Sequence, residues 1–322
     1  MRIVLAFVAL LLLATFAPPS LFSEPVPPAN ARLWAEPVGL DEDRPRRRRL
    51  GSLAYLEGWH LRSDDRRFGG ISAMHVEDGQ VLAVSDAGTL IRFGLPHVRG
   101  AQAVEVDPIP EGPGAAGSKR DRDAEAMLVR GGRAWISFER SNSVWRYDRG
   151  SWRSEASHRP SLMRRWRSNA GGEAMVRLAD GRFLVFSEGA SGGDGPTAAA
   201  LFDGDPAEPD TEAVGIGYQA PSGYRITDAA LLPDGRILYL NRRFSIFEGI
   251  SAKLTIGTLT VLAEGAILSG DEIAHFAPPV TVDNMEALSV AEENGRTIIW
   301  IASDDNLNSL QRTLLLKFAL QE

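Results

Sequence analysis

Residues 171–189 read GGEAMVRLADGRFLVFSEG: an acid, a short apolar run, an Asp-Gly turn, a second apolar run and a second acid. Four other stretches repeat that order. They are GGISAMHVEDGQVLAVSDAG at 69–88, DAEAMLVRGGRAWISFERSN at 123–142, TDAALLPDGRILYLNRRFS at 227–245 and NMEALSVAEENGRTIIWIASDDN at 284–306. Each copy holds a dipeptide ending in glycine, namely Asp78-Gly79, Gly131-Gly132, Asp180-Gly181, Asp234-Gly235 and Asn294-Gly295. These supply the positive φ angles of a type I′ hairpin turn, and the flanking runs are β-branched and aromatic.

Each copy continues into a third run, at 89–95, 143–147, 198–202 and 253–261, and a fourth often follows, as at 103–106 and 213–218. The unit is a meander of three or four strands. Its opening polar position falls at Ser72, Glu125, Glu173, Asp228 and Glu286, in steps of 53, 48, 55 and 58 residues. A period near 50 with no helical repeat predicts an all-β fold, a β-propeller of five or six blades, mostly of four antiparallel strands. A degenerate sixth blade has room in 244–283 or at the joined termini. The last copy is one strand short, so 53–61, with 34–40 beside it, is expected to complete that blade and close the ring. Residues 161–168, SLMRRWRS, form a candidate short surface helix.

Composition is that of an ordinary globular chain, 44% apolar and 24% charged over 322 residues, with no cysteine. A net charge of −7 argues against a nucleic-acid surface. Residues 1–23 carry Arg2 and an apolar run ending at Phe16, the pattern of a secretory signal, with cleavage as late as residue 31 also compatible. An uncleaved anchor is the alternative. The expected destination is the bacterial periplasm or the outside of the cell, with no stable membrane integration after signal cleavage. Residues 24–49 read as a linker and N-terminal strand, and 50–322 as the propeller domain. The run Arg46 to Arg49 reads as a solvated loop balanced by Asp41, Glu42 and Asp43.

A second polar column closes the second strand of each copy: Asp86, Glu139, Glu188, Arg242 and Asp304. It lies 7 residues after the turn glycine in four copies and 9 in the last, and the first column lies 7 to 9 before it. Positions symmetric about a turn face each other across a hairpin, so both columns are expected at one mouth of the central channel. Eight of the ten are Asp or Glu, and Asp123, Asp283 and Asp305 lie beside them. Crowded carboxylates repel, and three neutralisers are open. Arg140, Arg242 and Arg243 can pair with them; a hard cation such as Ca²⁺ can be held by several oxygens; or a carboxylate pair can act as general acid and base on an ester. A structural role, satisfying backbone groups at strand ends, competes for any single position.

Weaker signals are Gly189-Ala190-Ser191-Gly192-Gly193, a formal G-x-S-x-G without the helix a nucleophile elbow needs, and five histidines without metal-ligand spacing. Ser72 faces Asp86 without an evident histidine. The cluster Lys119-Arg120-Asp121-Arg122-Asp123 can bring positive charge to the mouth and bind an anion, or equally be a solvated loop.

The run FGGISAM…VSDAG, the openings DAEAM and GGEAM, and SFERSN, DNMEALSV and ASDDNLNSLQRTLLLKF are similar to the esterase-like phytase domain family, from about residue 50 to 318. The resemblance implies a secreted bacterial propeller whose acids are suspected of phosphoester or ester hydrolysis. By it, Glu125, Glu139, Glu173, Glu188, Asp228, Glu286, Asp304 and Asp305 match the family's acidic positions, and the fourth copy departs from the rule with Asn241-Arg242-Arg243. The resulting expectation assigns catalysis to Glu125, Glu173, Glu286, Asp228 and Asp304. It assigns substrate contact to Arg140, Arg242, Arg243 and Ser72, and a divalent cation, Ca²⁺ or another, to Asp86, Glu139, Glu188 and Asp305. No organic cofactor is expected, and the ligand is a small anionic or ester substrate. The rival is a non-catalytic propeller binding a cation, small ligand or partner protein. Long acidic motifs of calcium-dependent propeller phytases are absent, which argues against phytate itself.

Overall fold

The computed structural model describes residues 28, 30–96, 100–115, 118–189, 195–259 and 262–321. The expected signal segment lies outside them, as does most of the G-x-S-x-G run. Strands β1 (Arg32–Pro37), β2 (Arg49–Leu50) and β3 (Leu53–Ser63) precede the first repeat. Blade 1 is β4 (Ile71–Glu77), β5 (Gln80–Ser85), β6 (Thr89–Gly94) and β7 (Ala101–Pro108). Blade 2 is β8 (Ala124–Arg130), β9 (Arg133–Phe138), β10 (Ser143–Asp148) and β11 (Ser154–His158). Blade 3 is β12 (Gly172–Arg177), β13 (Phe183–Ser187), β14 (Thr197–Phe202) and β15 (Ala213–Tyr218). Blade 4 begins with β16 (Arg225–Leu231), β17 (Ile237–Ser245) and β18 (Gly249–Gly257). The chain then leaves to add β19 (Ile267–Leu268) parallel to β15 and returns as β20 (Asp271–Phe276). So the described residues of 244–283 are spent on one blade and an edge of its neighbour. Blade 5 is β21 (Met285–Glu293), β22 (Arg296–Ser303) and β23 (Thr313–Leu320), completed by β3 from the N-terminal side.

The inner strands β4, β8, β12, β16 and β21 touch in that order and back to β4, which makes the assembly a ring. Each blade packs on both neighbours, and this explains why second strands such as VLAV and FLVF are buried on both faces. Five apolar clusters fill the five gaps between blades. The gap between blades 5 and 1, for example, holds Trp300, Met74 and Trp59. There β1 pairs with both β3 and β7, stitching the outer edges of the first and last blades together. Sheet closure of this kind removes the exposed edges that would otherwise invite pairing with another chain.

Three hairpin turns have both central residues at positive φ, as type I′ requires: Asp78-Gly79, Gly131-Gly132 and Asn294-Gly295. In blades 3 and 4 only Gly181 and Gly235 are positive, and the turn is one residue longer, closed by Leu178 N–H to Arg182 O and Leu232 N–H to Arg236 O, each 2.8 Å. The predicted surface helix is a single 3-10 turn, Met163–Arg165, with Met163 buried. In the arginine-rich loop, Asp41 takes Arg44 and Arg47 at 3.0 Å each, in keeping with a charge-balanced turn.

Candidate functional site

Every inner strand carries a bulge, and the bulged residue is the polar one. Pairing skips Ser72 in β4, Glu125 in β8, Glu173 in β12, Thr227 in β16 and Glu286 in β21. A bulge re-aims its extra side chain away from the regular alternation. Here it turns the first column toward the channel mouth.

The fourth member is therefore Thr227, not Asp228. The longer turn in blades 3 and 4 moves the column one residue back, so Thr227 corresponds to Glu173. Asp228 takes a paired position opposite Leu240 and lies in the channel among Met175, Ala229 and Leu288. Its two oxygens accept N–H bonds from Ala229 at 2.8 Å and Leu288 at 2.7 Å, tying blade 4 to blade 5.

At the mouth a cavity of about 550 Å³ is lined by Ser72, Asp86, Glu125, Glu139, Glu173, Glu188, Arg242, Glu286 and Asp304, the nine candidates the structure brings together. Asn284, Asn306 and Gln311 add neutral polar groups, and Phe244 and Ile250 an apolar wall. Three further candidates stand outside the lining. Asp305 accepts bonds from Gly70 N–H, Leu307 N–H and Thr313 Oγ1–H at 2.8–3.0 Å, so its oxygens are committed to holding blade 5 against blade 1. Arg243 pairs with Glu248 and stacks over Tyr224. Arg140 stays at the rim, its Nε 3.3 Å from Asp123 Oδ2.

Sequence reasoning gave Asp123, Asn284 and Arg225 no assigned role. All three stand two residues before the bulge, where their backbone meets the second column: Glu139 N–H bonds Asp123 O at 2.9 Å, and Asp304 N–H bonds Asn284 O at 2.8 Å. That fixed offset was the available signal. Asp123, Glu125 and Glu139 each place one carboxylate oxygen within 4.8 Å of the others. Such a trio of hard oxygen donors can hold a metal ion.

The seven carboxylates of the cavity lining share few cations. Arg242 lies 2.9 Å from Glu286 and 3.5 Å from Glu188, Arg225 lies 3.2 Å from Glu188, and Lys119 pairs with Asp86. Electrostatics follow from this shortage. Burial, then the charges of Glu173, Asp123 and Glu139, drives the Glu125 carboxyl well above its ordinary range. Burial and then Glu188 and Glu139 do the same to Glu173. Glu139 is pushed up to about 7 by burial and by Asp123. Glu286 reaches about 7 through burial, despite the opposing pull of Arg242. Asp304 reaches about 8 through burial and then Asp86. The mouth thus holds protonatable groups poised around neutrality, beside a trio that a cation would relieve.

The ring of blades and its single acidic mouth define a β-propeller with a carboxylate-lined channel site. The chain belongs to the Phytase-like family, described as "esterase-like activity of phytase", which matches residues 66–307. No curated protein matches it. Among solved structures it is similar to Myxococcus xanthus glutaminyl cyclase, at 12% identity and TM-score 0.48, covering 84% of this chain and 97% of that one. The Cps50 (Swd1) β-propeller domain of Myceliophteria thermophila aligns at 9% identity and TM-score 0.39, covering 79% and 97%. The Malassezia sympodialis allergen Mala s 1 aligns at 10% identity and TM-score 0.43, covering 77% and 92%. No helix among the described residues is long and apolar enough to cross a membrane.

Proposed function

We propose that the channel mouth is a hydrolytic site for phosphoesters or related esters, assisted by a divalent cation. The observation that carries the reading is the carboxylate trio Asp123, Glu125 and Glu139, adjoining further acids of shifted proton affinity in one cavity. The trio fits a hard cation: its oxygens are close, its members repel one another, and Arg140 at 3.3 Å from Asp123 is its nearest paired cation. A bound Ca²⁺ or similar ion would neutralise these charges and polarise a substrate oxygen.

The remaining roles belong to side chains. Glu286, at about 7, is partly ionised at neutral pH and can accept a proton from an attacking water, while Glu173, raised well above the usual carboxylate range beside Glu125, keeps its proton. Asp304, at about 8, carries a proton at neutral pH and can deliver it to a leaving oxygen. Arg242 faces the cavity between Glu188 and Glu286 and steadies an anionic group. Ser72 and Asp86 line the wall opposite the third and fourth blades. The N-terminal apolar run supports export to the periplasm or beyond.

The test is release of product from phosphomonoester, phosphodiester and carboxylester substrates, with Ca²⁺ and with chelator. Cation-dependent turnover that Glu286→Gln and Asp304→Asn each reduce is the expected result. Tight cation binding with no turnover of any substrate would instead make the propeller a binding module.

A further inference from the structure

Phe244, Ser245, Ile246 and Phe247 carry β17 past the cavity and turn it into β18. Phe244 is 65% exposed, Ile246 87% and Phe247 97%. On the neighbouring blade, the loop after Asp304 raises Leu307 and Leu310, the latter 78% exposed. Single exposed apolar residues need no explanation, but several large ones gathered around one opening mark a contact surface. Both loops belong to the acidic cavity. Phe244 and Ile250 line it from blade 4, and Asn306 and Gln311 from blade 5.

The turn is also held in shape. β17 and β18 stay paired as far as Ser245 and Gly249. Ser245 Oγ accepts the N–H groups of Phe247 and Glu248, each at 3.3 Å. Arg243 pairs with Glu248, and its guanidinium lies 5.1 Å from the centre of the Tyr224 ring. The apolar side chains are thus presented by a braced hairpin whose inner wall is continuous with the carboxylates.

We infer that this hairpin seats the apolar part of an ester whose reacting group sits in the acidic cavity, so that the preferred substrate is amphiphilic, with an alkyl chain or aromatic ring on its non-reacting side. The inference rests on the hydrolytic reading above and adds the substrate class. A lipid surface is the poorer occupant, because Phe244 and Ile250 stand in the wall of a concave cavity of about 550 Å³, which a flat bilayer does not enter.

The experiment titrates the calcium-loaded full chain with methyl, butyl, hexyl and octyl phosphate by calorimetry, and measures phosphate release from each. Wild-type affinity should rise about three- to fourfold for each methylene that reaches the hairpin. The Ile246→Ser/Phe247→Ser variant should flatten that series, losing most for octyl phosphate and least for methyl phosphate. Calcium binding by the variant confirms that it is folded. A flat series in wild type, or an unchanged slope in the variant, overturns the inference. Length-dependent binding that the variant flattens, without phosphate release, would count against phosphomonoester hydrolysis while keeping the hairpin as the seat of an amphiphilic ligand's apolar part; release from every phosphate without length dependence would support hydrolysis and overturn the seat. Hairpin-dependent sedimentation with phosphatidylcholine vesicles, or hairpin-dependent dimerisation in the ultracentrifuge, would overturn it in favour of a membrane or a second copy.

Discussion

Arg242 Nε lies 2.9 Å from Glu286 Oε1, and the same guanidinium is 3.5 Å from Glu188. The one basic residue of the second column therefore bridges acids from the blades on either side of its own. Removing it strands Glu286 and leaves Glu188 with Arg225, 3.2 Å away. Exposed ion pairs are worth about 0.2–1 kcal/mol and breaking a buried one costs about 3–5 kcal/mol. With 26% of the Arg242 side chain still in solvent, Arg242→Met should cost about 2 kcal/mol in urea unfolding. The double variant Arg242→Met/Glu286→Gln should recover much of that loss. Equal stability of the single and double variants would show that the bridge contributes nothing.

Cation binding makes a second expectation. Calorimetric titration with Ca²⁺ should give a binding isotherm for wild type, and Glu125→Gln should weaken it by at least about tenfold, since one charged oxygen donor of three is lost. Asp305→Asn should disturb stability rather than affinity, because Asp305 is occupied by Gly70, Leu307 and Thr313. An isotherm unchanged in Glu125→Gln would remove the trio as the binding site.

The pH dependence of stability has a defined sign. Glu286 and Asp304 have folded-state values near 7 and 8, above their ordinary 4.5 and 3.8. Groups raised in this way bind protons more tightly when folded, so the stability they confer is present at low pH and lost as pH rises through 7 and 8. Asp65, lowered below its ordinary value chiefly by Arg67 against the cost of burial, acts oppositely and loses its contribution only in acid. In chelator, Tm should therefore fall between about pH 5.5 and about pH 8, and added Ca²⁺ should restore part of the loss at the higher pH. In a domain of this size each kcal/mol corresponds to about 2–4 °C. A Tm that climbs across this interval in chelator would contradict the electrostatics of the mouth.

Much of this arrangement was legible in the chain because a repeat exposes its own register. The turn glycines located five hairpins, and symmetry about them brought nine of the thirteen candidates to one cavity. The shortage of a strand after Ile299 and its neighbours pointed to closure by β3, which pairs with β23 from Thr313 to Leu320. What the pattern hid was turn length. Asp180-Gly181 and Asp234-Gly235 look like Asp78-Gly79, yet their aspartates have no positive φ and their turns hold one more residue. Counting back from glycine then lands on Asp228 in place of Thr227. The expected neighbour of β3 from residues 34–40 is β1, but its second pairing, with β7 of blade 1, was hidden, since an edge strand that joins two blades carries no periodic signature. Nor does spacing reveal that Asp305 is consumed by the Gly70 N–H of another blade and by Leu307 N–H and Thr313 Oγ1–H of its own.

Asp228 supplies the last test, because the repeat and the structure assign it different work. Its Oδ2 receives the Leu288 N–H at 2.7 Å and its Oδ1 the Ala229 N–H at 2.8 Å, within the channel and away from the acidic cavity. Asp228→Ala leaves two buried donors without an acceptor, at about 1–3 kcal/mol for each unsatisfied group. Asp228→Asn keeps an acceptor oxygen and should lose less. Neither substitution should change Ca²⁺ affinity by more than about twofold, since the carboxylate trio is untouched and the energetics of separated sites add. The measurements are urea unfolding and calcium titration on the same preparations. Loss of calcium binding with stability intact would return Asp228 to the site and place the fourth acid of the column where the sequence count first put it.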